Sequence, residues 1–555
     1  MSSHKTPIER LLQLVQLEQE DITTLLIYGV GIGIMSLATP IAVQALVNTI
    51  AFGALFQPLL VLTLVLLVLM TFSNTLAALQ FYVVEMLQRR LFVRLFGAAA
   101  NRLQNADFAI RDKEHLPELS NRFFDVVTLQ KTASVLLLET LGYVLQTLIG
   151  MLLLAFYHPI LLAFDLFLIG MLAVILFLMG RHGVDTAIEQ SKAKYAAAAW
   201  LENIAENALL GKSAHAEHFF QHQTQHIAEI YLNACVQHFR ILARQNIGAL
   251  ALHAVANTLL LGLGGWMVID RQLSLGQLIA AELVVNAMIY GLTRLGKTLD
   301  NFYDLLTSVD KIGHLLDLPQ ESTEGIAAMT ESSAYSIHVK NLSLPYSPQL
   351  DMLTQFDLHI PAGERLVISK GAERGSLLEV LFGLRTPAGG VIQLNDQDLR
   401  DLNLQQLRDT VALVKDAEIM AASIADNVSM GRELDIRELR LALDQAGLLT
   451  FISTLPDGLQ TELGLHGAPL NQEQCLRLTL ARAIALKPRL LMLDHVLDRI
   501  DQANQTLLLD SLTHPDTDWT LIILSQQTPV INACSRHCQI EQGQLVTSNP
   551  LPEVL

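Results

Sequence analysis

The residues with most chemistry to offer lie in one short run, Ile368-Ser-Lys-Gly-Ala-Glu-Arg-Gly-Ser376, between a strand-like apolar stretch and a helical one. That setting suits a phosphate-binding loop. A loop of the form GxxxxGK[ST] uses glycines so that successive backbone N–H groups surround the phosphates, a lysine on the terminal phosphates and a hydroxyl on Mg²⁺. Here Gly371 and Gly375 remain beside Ala372, Arg374 falls in the lysine position, and Ser376 supplies the hydroxyl. Glu373 replaces the glycine before the lysine, and the loop is shorter by about two residues on its strand side. Two like charges about 4 Å apart repel by about 4 kcal/mol at an effective dielectric of 20, so tight triphosphate binding is not expected. Further along, the apolar run 490–493 ends in Asp494, followed by His495. Asp494 has two readings: a Mg²⁺ ligand together with Ser376, or a carboxylate satisfied by neighbouring backbone and by Ser376. His495 carries an imidazole, a side chain able to act as a base. Cys534-Ser-Arg-His-Cys538 lacks the further ligands a zinc site needs and reads as a pair of structural thiols near a strand.

These residues must be positioned by the second of two unlike halves. The chain has 555 residues, 51% hydrophobic and 16% charged, with a mean hydropathy of +0.38. A disordered or ordinary soluble chain is excluded. Apolar stretches at about 24–50, 57–84, 134–157, 159–180, 246–269 and 274–297 each reach the ~20 residues that cross a bilayer as a helix. Six spans follow, the third and fourth joined by a tight hairpin at Tyr157-His158-Pro159. The gaps 85–133 and 181–245 are long, helical in pattern and rich in Arg and Lys, among them Arg89, Arg90, Arg94, Lys192 and Lys194. Positive charge favours the cytoplasm, so both termini are expected there, in an inner (plasma) membrane. Residues 8–18 read as an interfacial helix, with no cleavable signal before them. Thirty-seven basic against 54 acidic residues give a net charge of −17, which argues against a nucleic-acid partner. Four scattered cysteines form no disulfide framework and fit a reducing interior.

Polar groups inside spans are costly and therefore informative: Asp165, His253, Asn257, Glu282 and Asn286. They line a central cavity on one reading and make helix-to-helix hydrogen bonds on the other. Residues 318–334 read as a linker, and an α/β domain is expected from 335 to 555, with strands near 335–339, 356–360, 365–369, 489–493 and 521–524.

Six spans with two long cytoplasmic extensions, followed by such a domain, resemble an ABC exporter half-transporter, closest in layout to the type I secretion and peptide exporters. The matching runs are Pro361-Ala-Gly-Glu-Arg365, Pro456-Asp-Gly-Leu459, Leu463-Gly-Leu-His-Gly467, Leu478-Thr-Leu-Ala-Arg-Ala483 and Leu490-Leu-Met-Leu-Asp494. The resemblance implies a six-helix transmembrane domain over 1–317, a nucleotide-binding domain of P-loop type, and coupling segments near 105–125 and 203–220. It places Tyr346 as the adenine-stacking aromatic, or else as a packed surface aromatic. It also puts Lys415 where the family has a Gln that senses Mg²⁺ and the attacking water. The LSGGQ signature becomes Leu470-Asn471-Gln472-Glu473-Gln474, the catalytic Glu becomes His495 and the switch His becomes Gln526. A degenerate domain is expected, with ATP and Mg²⁺ bound weakly or not at all. The implied protein is a pseudo-ATPase half-transporter, homo- or heterodimeric, with a periplasmic adaptor as a further partner. Two alternatives stay open: a slow but genuine ATP-driven exporter, and a nucleotide-independent channel or scaffold.

Overall fold

The computed structural model describes residues 6–51, 56–112, 116–327, 334–343, 356–369, 376–541 and 544–548. The chain divides into two compact units, residues 1–106 with 114–319 and residues 107–113 with 320–555. The first is helical. Among the described residues five stretches are long and apolar enough to cross a membrane: Gln19–Thr49, Phe56–Gln104, Leu116–Tyr157, Pro159–Met179 and Ala214–Ile269. The sixth expected span is the helix Leu275–Thr293, whose described apolar stretch, Leu275–Met288, is shorter. Phe56–Gln104 and Ala214–Ile269 run for 49 and 56 residues, far beyond the ~20 a bilayer needs. The long gaps of the sequence are therefore helical continuations of spans.

Local chemistry explains where these helices begin and turn. Thr6 and Glu9 form a reciprocal cap on the helix Pro7–Leu17, and Arg10, buried, reaches Asp317 at 2.7 Å and the Asp310 carbonyl at 3.1 Å. At the expected hairpin, His158 is extended, its Nδ1 accepts from the Ile160 N–H at 3.2 Å, and Pro159 takes the first helical position, where a missing N–H costs nothing. Two π-bulges, Leu136–Thr140 and Val174–Met179, interrupt the spans. Such bulges loosen carbonyls from the helix ladder. Gln80 donates to the Leu137 carbonyl at 3.4 Å and the fully buried Gln245 donates to that of Ile175 at 3.3 Å.

The second unit holds two sheets. β1 (Ile337–Ser343), β2 (Phe356–Ile360), β4 (Gly389–Leu394) and β5 (Gln397–Asp398) form an antiparallel sheet in the order β2-β1-β4-β5. β3 (Arg365–Ile368), β6 (Val411–Val414), β7 (Leu490–Asp494), β8 (Thr520–Leu524), β9 (Arg536–Glu541) and β10 (Gln544–Ser548) form the other, in the order β10-β9-β3-β8-β7-β6. All its pairings are parallel except β10 with β9. Along β7, Leu490 and Met492 join one core while Leu491 and Leu493 join another. A strand buried on both faces must be apolar throughout, which is why this run is unbroken in sequence.

The segment expected as a linker is not a free tether. Ile326 pairs with Leu402, Arg408 grips Glu321 at 2.5 and 2.6 Å, and Asn403 donates to the Thr323 carbonyl at 2.7 Å. By compactness the second unit takes in the chain from Gln320 onward. Residues 107–113, expected as part of a coupling segment, group with it.

Candidate functional site

Parallel strands bring their carboxyl ends to one edge, where α/β sheets bind ligands. β6, β7 and β8 are adjacent and in register, so Lys415, Asp494-His495 and Ser525-Gln526 emerge side by side. β3 leads toward the helix Ser376–Leu381. Tyr346, Gly371, Ala372, Glu373, Arg374 and Gly375 lie outside the described residues; Ser376 opens that helix.

Asp494 is only 4% exposed. Burial raises its pKa above the ordinary carboxylate range, and the nearby charges of Lys415 and His495 offset this in part. The Lys415 ammonium stands 3.8 Å from Asp494 Oδ2 and donates to Glu379 Oε1 at 2.8 Å. Burial works against that ammonium, yet the hydrogen bond and charge of Glu379 prevail and raise its pKa. Glu379, on the helix Ser376–Leu381, is 4% exposed and also accepts from Arg385 Nε at 2.5 Å. The Arg385 guanidinium in turn makes a two-pronged pair with Asp112 at 2.5 and 3.0 Å and lies over the Phe108 ring, 5.6 Å from its centre. Acid and base thus alternate from Asp112 through Arg385, Glu379 and Lys415 to Asp494. The sequence picks out Lys415 and Asp494 but not Glu379 or Arg385, because nothing marks Glu379 as the partner of a lysine 36 residues away or Arg385 as the partner of Glu379.

His495 has a left-handed backbone (φ 53°). Its Nδ1 lies 2.8 Å from Asp498 Oδ2, and the other Asp498 oxygen accepts from the Ser525 hydroxyl. With the ring proton on Nδ1, toward that carboxylate, Nε2 would be the unprotonated nitrogen, as a base requires. Gln526, the position expected for the switch residue, is exposed, while its neighbour Gln527 donates to the Asp498 carbonyl at 3.3 Å.

Residues 22–292 match the ABC transporter transmembrane region, and residues 353–497 match the ABC transporter domain. The chain belongs to the ABC transporters. Its layout is that of an exporter half, with a helical transmembrane domain followed by an α/β nucleotide-binding domain. It is 26% identical over 325 residues to the alpha-hemolysin translocation ATP-binding protein HlyB of Escherichia coli and, at the same identity, to the leukotoxin translocation ATP-binding protein LktB of Mannheimia haemolytica. Each match covers 57% of this chain and 46% of the relative, so the chain spans about half the length of these relatives in the match. The fold is that of a bacterial Atm1-family ABC exporter with ATP bound, at a TM-score of 0.82 and 18% identity over 96% of this chain and 95% of that one.

In this ABC half-transporter the signature-like segment starts the helix Gln472–Ala485. Asn471 accepts from the Gln474 N–H at 2.8 Å, and the Gln474 side chain accepts from the Asn471 N–H at 2.9 Å. The Glu473 carboxylate lies 3.3 Å from Arg477 Nε and accepts from Asn504 at 3.1 Å. Both side chains are engaged within their own domain, while Gln472 is exposed. A domain of this family is built for ATP and Mg²⁺. Here the Lys415 ammonium stands 3.8 Å from Oδ2 of Asp494, the carboxylate that would hold the ion, so an ion binding there would meet a like charge at close range.

The polar residues of the spans differ in their surroundings. Asp165 is 2% exposed, and neither carboxyl oxygen has a hydrogen-bond partner among the described residues. His253 and Asn257 are half-buried and 3.4 Å apart on one helix. Glu282 and Asn286 are exposed, opposite the buried face of Ala281, Val284, Val285 and Met288. In the soluble domain Cys538 is buried in β9, and burial pushes the Cys534 thiol up to about 12.

Proposed function

We propose that this half-transporter is a subunit of an export complex whose own nucleotide domain has lost ATP turnover or retains very little of it. The observation that carries this reading is the Lys415 ammonium held by Glu379 against Asp494. The residues after it support the same reading, with His495 in the place of a catalytic Glu and Gln472 and Glu473 in the place of two glycines. ABC sites form between two nucleotide domains, the phosphate loop of one facing the signature of the other. A homodimer would repeat every departure in both sites; pairing with an intact half would leave neither site whole. The domain then keeps its shape and its contact with residues 107–113 without driving a cycle. The charge distribution supports an inner membrane with both termini in the cytoplasm. The likeness to toxin translocation proteins supports a polypeptide cargo, a second half-transporter and a periplasmic adaptor as partners.

A second reading has its own observation. The His495–Asp498 pair has the geometry of an oriented base, which a slow but genuine ATP-driven exporter would use. One experiment separates the two: equilibrium Mg-ATP binding to the full-length protein in lipid nanodiscs, with phosphate release from the same samples and Arg374→Ala as control. Binding weaker than micromolar and no phosphate release above the control are expected. Micromolar binding lost in Arg374→Ala, with turnover abolished by Asp494→Asn, establishes the slow exporter instead. Cargo flux that persists without residues 335–555 establishes a nucleotide-independent channel.

A further inference from the structure

Lys415 is more than a substituted residue at a sensor position. Two buried carboxylates from different elements, Glu379 of the helix Ser376–Leu381 and Asp494 at the end of β7, converge on one point, and the Lys415 Nζ fills it at 2.8 and 3.8 Å. We propose that Lys415 is the resident cation of this domain: its ammonium occupies a cation site formed by Glu379 and Asp494, and so keeps divalent ions out.

The surrounding charges fit this assignment. Glu379 is shared with Arg385, which Asp112 anchors from the other side. Asp416, next to Lys415, is taken by Arg499 at 2.9 Å, and Arg499 Nη2 also donates to the Lys415 carbonyl at 2.7 Å. The backbone that carries Lys415 is thereby held, and Asp416 is engaged elsewhere. Around the site itself Glu379 is met by Lys415 and Arg385, and Asp494 faces Lys415. A divalent ion entering between Glu379 and Asp494 would have to displace the Lys415 ammonium. Removing the ammonium changes the balance: two carboxylates that are 4% exposed then face one vacated, solvent-reachable position, and a hard cation with oxygen ligands is the natural occupant.

The test is Mn²⁺ binding to the full-length protein in nanodiscs without nucleotide, read as loss of the free-ion electron paramagnetic resonance signal. Wild type is expected to bind no Mn²⁺ that Asp494→Asn removes. Lys415→Ala is expected to bind one ion per chain beyond any that wild type binds, and Lys415→Ala/Asp494→Asn is expected to lose it. Should Lys415→Ala fail to fold, Lys415→Gln, which keeps the stem and a donor toward Glu379, carries the same expectation. Wild type that binds Mn²⁺ through Asp494, or folded Lys415 variants that gain no ion, overturn the proposal. Phosphate release is measured separately with Mg-ATP. Turnover by wild type would overturn the non-catalytic reading, whereas the Mn²⁺ result bears on Lys415 alone.

Discussion

At the scale of single residues, Glu379 has the most to lose. Its buried carboxylate serves two cations, so truncating it leaves Arg385 and Lys415 without their shared counter-charge. Removing one partner from a buried ionic network costs about 3–5 kcal/mol. Glu379→Ala is therefore expected to destabilise the protein by about that amount in denaturant unfolding followed by a probe in the soluble unit. Glu379→Gln, which retains acceptor oxygen and volume, is expected to cost less; equal costs would place the effect in packing. Asp494 has the opposite sign. Its pKa is raised in the fold by burial, so the folded state binds protons more readily than the unfolded one and the group costs stability at neutral pH. Asp494→Asn is thus expected to be the more stable protein at pH 7. The gap should close as pH falls through the raised folded pKa toward the ordinary value of about 4. A gap that widens on acidification would contradict this sign. Lys415, Asp494 and His495 were legible because their types and order are unusual. Glu379 and Asp498 were not, because a buried carboxylate is recognised only when the chain is folded around it.

At the scale of elements, the sequence marks those buried on both faces and blurs the others. The expected strands at 356–360, 365–369, 489–493 and 521–524 fall within a residue or so of β2, β3, β7 and β8. β10, half of an antiparallel edge pair, and the two-residue β5 were not marked by any long apolar run. The stretch 318–334 reads as a tether because Glu, Ser and Thr dominate it, yet Ile326 and Glu321 tie its first part to the domain. π-bulges leave no periodic trace at all. The signature-like helix shows what a local motif can still do after its glycines are gone. Asn471 and Gln474 form a capping box, the reciprocal bond pair that satisfies two backbone donors. Asn471→Ala is expected to cost about 1 kcal/mol, measured by unfolding, with no change in any nucleotide response. A changed nucleotide response would give Asn471 a role beyond the cap.

At the scale of the whole molecule, the proposed reading gives the chain two faces of a site that a second nucleotide domain would complete. One face holds Lys415, Asp494 and His495; the other begins at Asn471. Repairing one face leaves the other as it is. In a homodimer of Lys415→Gln/His495→Glu, each restored base and sensor still faces Gln472 and Glu473 of the other copy, and the loop still carries Glu373 and Arg374. A positioned base contributes about 10²–10⁴-fold and an electrostatic clamp about 10²–10³-fold. Catalysis that needs both is not recovered by supplying one. Phosphate release by the double variant in nanodiscs is therefore expected to stay at background. Adding Glu373→Gly, Arg374→Lys, Gly375→Ser, Gln472→Gly and Glu473→Gly to the same chain is expected to raise it, because the two faces are then repaired together. Turnover from Lys415→Gln/His495→Glu alone would mean that the loop and signature were already competent and that Lys415 and His495 were the whole defect. The domain would then be a motor held off by two residues, and the search for a catalytic partner would lose its reason.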